Sequence, residues 1–88
     1  MNRVEALASV IRDTRQRLNI SQEKLAETAK LHRNGVGRIE RGKVGLSIFT
    51  LWLIADALGV SASELMRQAE ILAANQHEIA PPNSLQAD

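Results

Sequence analysis

A chain of 88 residues with a formal net charge of +1 builds a single small domain around one core. It has no cysteine, which excludes disulfides and thiolate metal sites, and His32 and His77 stand too far apart in sequence to suggest a metal pair. Phe49 and Trp52 are its only aromatic residues, too few for a protein that stacks single-stranded bases on aromatic rings. The longest apolar run, Leu51 to Ala55, falls far short of the roughly 20 residues that span a bilayer. Charged residues from Arg3 onward break up any leader-like apolar stretch. A soluble, cytoplasmic protein with no cofactor and no metal is expected.

Apolar residues at Val4, Leu7, Ile11 and Leu18, with Thr14 filling one turn, mark a first amphipathic helix that ends near Asn19. Ser21 then caps a second helix, with Glu23 in its first turn. This helix runs to about Ala29 and buries Leu25, Ala26 and Ala29. After a tight connection at Lys30 and Leu31, a third short helix spans about 33–41, buries Val36 and Ile39, and stops at Gly42. Ser47 caps a fourth helix over about 48–58, closed by Gly59. Ser61 and Glu64 form a capping box for a fifth, which carries Leu65, Met66, Ala69, Leu72 and Ala73 and extends to about residue 76. The polar segment 77–88, with Pro81 and Pro82, reads as a tail on a domain of residues 1–76. The expected architecture is a compact all-α domain of five helices.

The charge is unevenly spread. Residues 1–43 hold ten bases and five acids, a net +5, whereas residues 44–88 hold one base and five acids, a net −4. One face is therefore suited to a polyanion. The second and third helices, two or three residues apart and sharing an apolar seam, match a helix-turn-helix, whose second helix protrudes toward the major groove. The outer face of that second helix carries His32, Arg33, Asn34, Arg38 and Arg41, interleaved with Gly35 and Gly37. Arginine donates two bonds to guanine O6 and N7, and asparagine pairs with adenine N6 and N7.

Three segments, Ile20-Ser21-Gln22-Glu23-Lys24-Leu25-Ala26, Ile39-Glu40-Arg41-Gly42-Lys43 and Ile54-Ala55-Asp56-Ala57-Leu58-Gly59-Val60-Ser61, resemble the lambda-repressor-like, Cro-type (XRE) helix-turn-helix family. The resemblance spans about Leu7 to Met66 and implies a non-enzymatic bacterial or phage transcription regulator, usually a homodimer on a palindromic operator. It implies phosphate contacts for Gln22, Arg41 and Lys43, base reading for Arg33, Asn34, Arg38 and His32, with His32 at the N-cap position of the reading helix, and an ion pair between Arg15 and Glu40. Arg15 is also a candidate near a phosphate. Lys30 stands where the family usually has glycine, and Gly35 and Gly37 lie within the expected reading helix, where each costs about 0.8–1 kcal/mol relative to alanine.

The fourth helix is apolar nearly all round. Ile48, Leu51, Ile54, Ala55 and Leu58 form its expected inward stripe, and Phe49, Trp52 and Leu53 form a second face. With Ile71 and Leu72 they make the expected dimer face, which would set two reading helices about 34 Å apart, one turn of DNA. The alternative is an interaction module, such as an antitoxin, whose fourth helix binds another protein while DNA binding is secondary. An activator would further need RNA polymerase as partner, with Glu23 and Glu27 as candidate contacts. No Ser, His and acid residues combine in a pattern that suggests catalysis.

Overall fold

The computed structural model describes residues 1–76, and the expected tail at 77–88 lies outside the described residues. Five helices follow in order: α1 Arg3–Arg17, α2 Gln22–Ala29, α3 Gly35–Glu40, α4 Ile48–Leu58 and α5 Ala62–Gln76. No strand occurs among the described residues, and no single helix there is long and apolar enough to cross a membrane.

Local signals place most boundaries. The Ser21 and Ser47 hydroxyls accept the backbone N–H groups of Lys24 and Thr50, so each occupies one of the unpaired donors of a helix start. α1 begins with a reciprocal pair that the sequence reading did not assign: Asn2 accepts the Glu5 N–H, and the Glu5 carboxylate accepts the Asn2 N–H. At α5 only half of the expected box forms. Ser61 accepts the Glu64 N–H, while the Glu64 carboxylate turns to Arg67 and Gln68.

α1 packs on α5 and α3, and α2 packs on α3 and α4. Ile11, Leu25, Val36, Ile54 and Leu65, one from each helix, are fully buried at the centre. Ala26 and Ala29 let α2 approach its neighbours closely, and both are buried.

Four residues expected in the core are exposed. Leu18 is 47% exposed because α1 ends at Arg17 and the chain reverses through Asn19, whose φ is 58°; Ile20 packs on the core instead. Val4, Ile48 and Met66 share a different cause. All three line an open apolar groove between α1, α4 and α5, together with Leu7, Leu46, Leu51 and Ala69.

Candidate nucleic-acid interface

Ser21 caps α2 so that Gln22 is its first residue. Lys30 ends α2 in the left-handed region, at φ 60° and ψ 41°, and its N–H returns to the Ala26 and Glu27 carbonyls. This reversal brings the chain round to α3 within a few residues. The expectation that His32 is the N-cap is corrected: the N-cap of α3 is Asn34, which makes no side-chain cap bond, and His32 stands in the turn before it. The His32 Nδ1 accepts the Asn34 N–H at 3.2 Å, and the His32 carbonyl accepts the Gly35 N–H at 2.7 Å. Helix α3 starts at Gly35, about two residues later than expected, so Gly35 occupies a first-turn position and Gly37 alone lies in the interior.

Val36 and Ile39 turn inward and anchor α3 to the core. By helical geometry Gly37, Arg38 and Arg41 are left on the opposite face, and Arg33 and Asn34 stand in the turn that leads into the helix. Gly42, at φ 71°, ends the segment, and a Cβ there would stand 3.2 Å from the Cα of Glu5. The end of the α3 segment therefore lies tight against α1.

A buried network holds α3 at its angle. Arg15 Nε and Nη2 donate to the two Glu40 carboxylate oxygens at 2.7 and 3.0 Å. Arg15 Nη1 donates to the Ile20 carbonyl at 2.8 Å, and Gln22 Nε2 donates to Glu40 Oε1 at 3.0 Å. One carboxylate thus ties α1, the start of α2 and the end of α3 together. The expected Arg15–Glu40 pair is present, and Gln22 joins it. Arg15 is corrected as a candidate for DNA phosphates: its side chain is only 10% exposed and its guanidinium is engaged inside the protein.

Six of the expected contact residues, Gln22, His32, Arg33, Asn34, Arg38 and Arg41, line one open cleft together with Gly37. Lys43 is exposed in the loop beyond α3. Among the described residues the ion pairs are Arg15–Glu40, Arg17–Asp13, Lys24–Glu27 and Arg67–Glu64, so the three arginines of the cleft have no acidic partner there. Concentrated positive charge without a local acid favours an external polyanion.

The helix-turn-helix family model matches residues 11–65. The chain belongs to this family. Helix-turn-helix proteins of this XRE type are DNA-binding transcription regulators, and the similar proteins are of that kind. The control protein C.SmaI of Serratia marcescens is 40% identical over 62 residues, which covers 70% of this chain and 74% of that protein. The restriction–modification controller protein C.AhdI from Aeromonas hydrophila superposes with a TM-score of 0.68 at 32% identity, over 70% of this chain and 94% of that one. The clp gene regulator ClgR from Corynebacterium glutamicum superposes with a TM-score of 0.79 at 25% identity, over 98% of this chain and 95% of that one.

The expected partner face is divided. Phe49, Trp52 and Ile71 are 67%, 57% and 46% exposed, whereas Leu53 and Leu72 are half-buried and Leu72 packs against the core. Ile48, expected to face inward, is 56% exposed and joins the patch. Residues three and four apart are neighbours on a helix, so Ile48, Phe49 and Trp52 form one continuous apolar strip. The signal that marks Ile48 in the sequence is its place directly after the Ser47 cap, at the very end of its helix.

Proposed function

We propose that this protein is a homodimeric, sequence-specific regulator of transcription that lays α3 in the major groove of a palindromic operator and controls a restriction–modification system. The observation that carries the DNA reading is the cleft at α2 and α3, where Arg33, Asn34 and Arg38 gather around a helix pinned by Glu40, with no acid paired to the arginines among the described residues. Arg33, Asn34 and Arg38 supply the donors that base edges require, and His32 lines the same cleft. Gln22 and Lys43 serve the phosphates, which position the protein without specifying sequence. The cytoplasm is where such a protein would meet its operator.

The dimer is supported by the exposed strip Ile48, Phe49 and Trp52 and by the apolar groove beside it. Monomeric proteins seldom expose contiguous apolar surface of this kind. Control of restriction–modification genes is supported by the 40% identity to C.SmaI and the likeness to C.AhdI.

The test is selection of binding sites from a random duplex DNA library by the purified chain. Enrichment of a palindrome whose half-sites lie about one turn apart is the expected result. Weak binding that falls with salt and enriches no sequence would sink the reading.

A further inference from the structure

The resemblance of the chain to its family implies that Arg41 holds the sugar-phosphate backbone. Its surroundings point elsewhere. Arg41 continues the helical backbone of α3, at φ −77° and ψ −12°, and its N–H donates to the Gly37 carbonyl. A helical side chain leans toward the N-terminus of its helix, over the residue one turn before it. For Arg41 that residue is Gly37. The Nη1 of Arg41 lies 3.6 Å from the point where a Cβ on Gly37 would stand. The guanidinium is thus carried back along α3 toward its N-terminal part, the part of a reading helix that meets base edges.

Gly37 is what leaves this path open. Gly37 and Arg41 stand four residues apart on one side of α3, with Arg33 in the turn just before the helix, and Gly37 has no side chain. The adjacent carboxylate offers no competing partner, because Glu40 is engaged by Arg15 and Gln22. From this arrangement we infer that Arg41 reads a guanine edge in the major groove, through the slot that Gly37 leaves, instead of gripping a phosphate. This rests on the DNA-reading function proposed above. It also gives the glycine a role: Gly37 reads nothing itself, yet it admits the side chain that does.

The two roles of Arg41 respond differently to lysine. A phosphate contact needs a positive charge, which lysine supplies, whereas guanine O6 and N7 are matched by the two-pronged guanidinium. The chain and its Arg41→Lys, Arg41→Ala and Gly37→Leu variants are each used to select duplexes from a random library. The duplex that the unmodified chain selects is then varied one base pair at a time in competition binding. Arg41→Lys is expected to keep the salt dependence of binding and to lose about 5- to 150-fold of the preference for guanine at one base pair per half-site. Gly37→Leu fills the slot and is expected to relax that same position.

The inference is overturned if Arg41→Lys selects the same sequence as the unmodified chain while Arg41→Ala weakens all sequences equally. That pattern describes a phosphate contact and leaves the proposed function standing. An unmodified chain that selects no sequence would overturn the proposed function and this inference together. Arg41 is exposed, so its lysine variant reports on DNA reading even if Gly37→Leu fails to fold.

Discussion

Lys30 holds a backbone conformation that suits glycine. At φ 60° and ψ 41° its Cβ crowds the carbonyl that follows, which costs about 1–2 kcal/mol for an L residue. The side chain is exposed, so nothing in the core rewards it. Lys30→Gly relieves the strain, and the extra freedom of glycine in the unfolded chain returns about 0.4–1 kcal/mol. The expected outcome is a net gain of up to about 1 kcal/mol, seen as a melting temperature higher by a few degrees. Lys30→Ala keeps the Cβ and should show no such gain. Glu40 works in the opposite sense. Its carboxylate neutralises a buried guanidinium and also holds Gln22, so Glu40→Ala leaves Arg15 charged and unpaired inside the protein. Losing one member of a buried pair costs about 3–5 kcal/mol, a large share of the roughly 5–15 kcal/mol that holds a domain together. Urea denaturation should show this loss. The double variant Arg15→Met with Glu40→Leu should recover much of it, since no charge is then left buried. A double variant as unstable as Glu40→Ala alone would show that packing, and not charge, sets the cost.

At the scale of the helices, what was legible in the sequence was what is encoded locally. Ser21 and Ser47 cap within three residues of their own positions, and Gly42 and Gly59 take positive φ where the chain must turn, so the limits of α2 and α4 and the end of α3 follow from short stretches. Periodicity also gave the correct inward faces, with Leu25, Val36 and Ile54 buried. It did not show how far each neighbouring helix reaches. Val4, Ile48 and Met66 satisfy the pattern and are still exposed, because cover depends on partners distant in sequence. The site divides in the same way. That Arg33, Asn34, Arg38 and Arg41 come together at one cleft was readable from their spacing, whereas the Gln22–Glu40 bond joins residues 18 apart and needed the folded turn. The start of α5 shows how one helix turn redirects a capping residue. Two hydrogen bonds from Arg67, and then one from Gln68, hold the Glu64 carboxyl at about 2, down from 4.5. With the folded value depressed, this contribution to stability is fully present above pH 4.5 and is lost as pH falls through about 2. The pair is well exposed, so the contribution is small and weakened by salt. Carbon-13 NMR of the Glu64 carboxyl should follow this titration. Arg67→Ala should move the midpoint back toward 4.5, and a midpoint unchanged by that substitution would refute the assigned cause.

At the scale of the whole molecule, the proposed dimer would put the positive half of the sequence and the apolar strip to one use. A single short α3 offers few side chains for base contacts, and two copies related by a two-fold axis would double them while fixing the spacing of the half-sites. In a two-fold interface each substitution removes its side chain twice. A well-packed aromatic anchor contributes about 2 kcal/mol or more, so truncating both copies of Trp52 should cost about 4 kcal/mol of dimerisation, close to 1,000-fold in Kd. Because Trp52 is 57% exposed in the single chain, Trp52→Ala should leave the stability of the isolated domain nearly unchanged. Phe49→Arg goes further by burying a charge without a partner in the same interface. Analytical ultracentrifugation across micromolar concentrations should find the unmodified chain as a dimer and both variants as monomers. The variants should also lose the steep concentration dependence of binding to a palindrome while keeping weak binding to one half-site, since the α3 cleft is untouched. An unmodified chain that is monomeric alone and on its operator would refute the dimer and turn attention to a different protein as the partner of the Phe49 and Trp52 face.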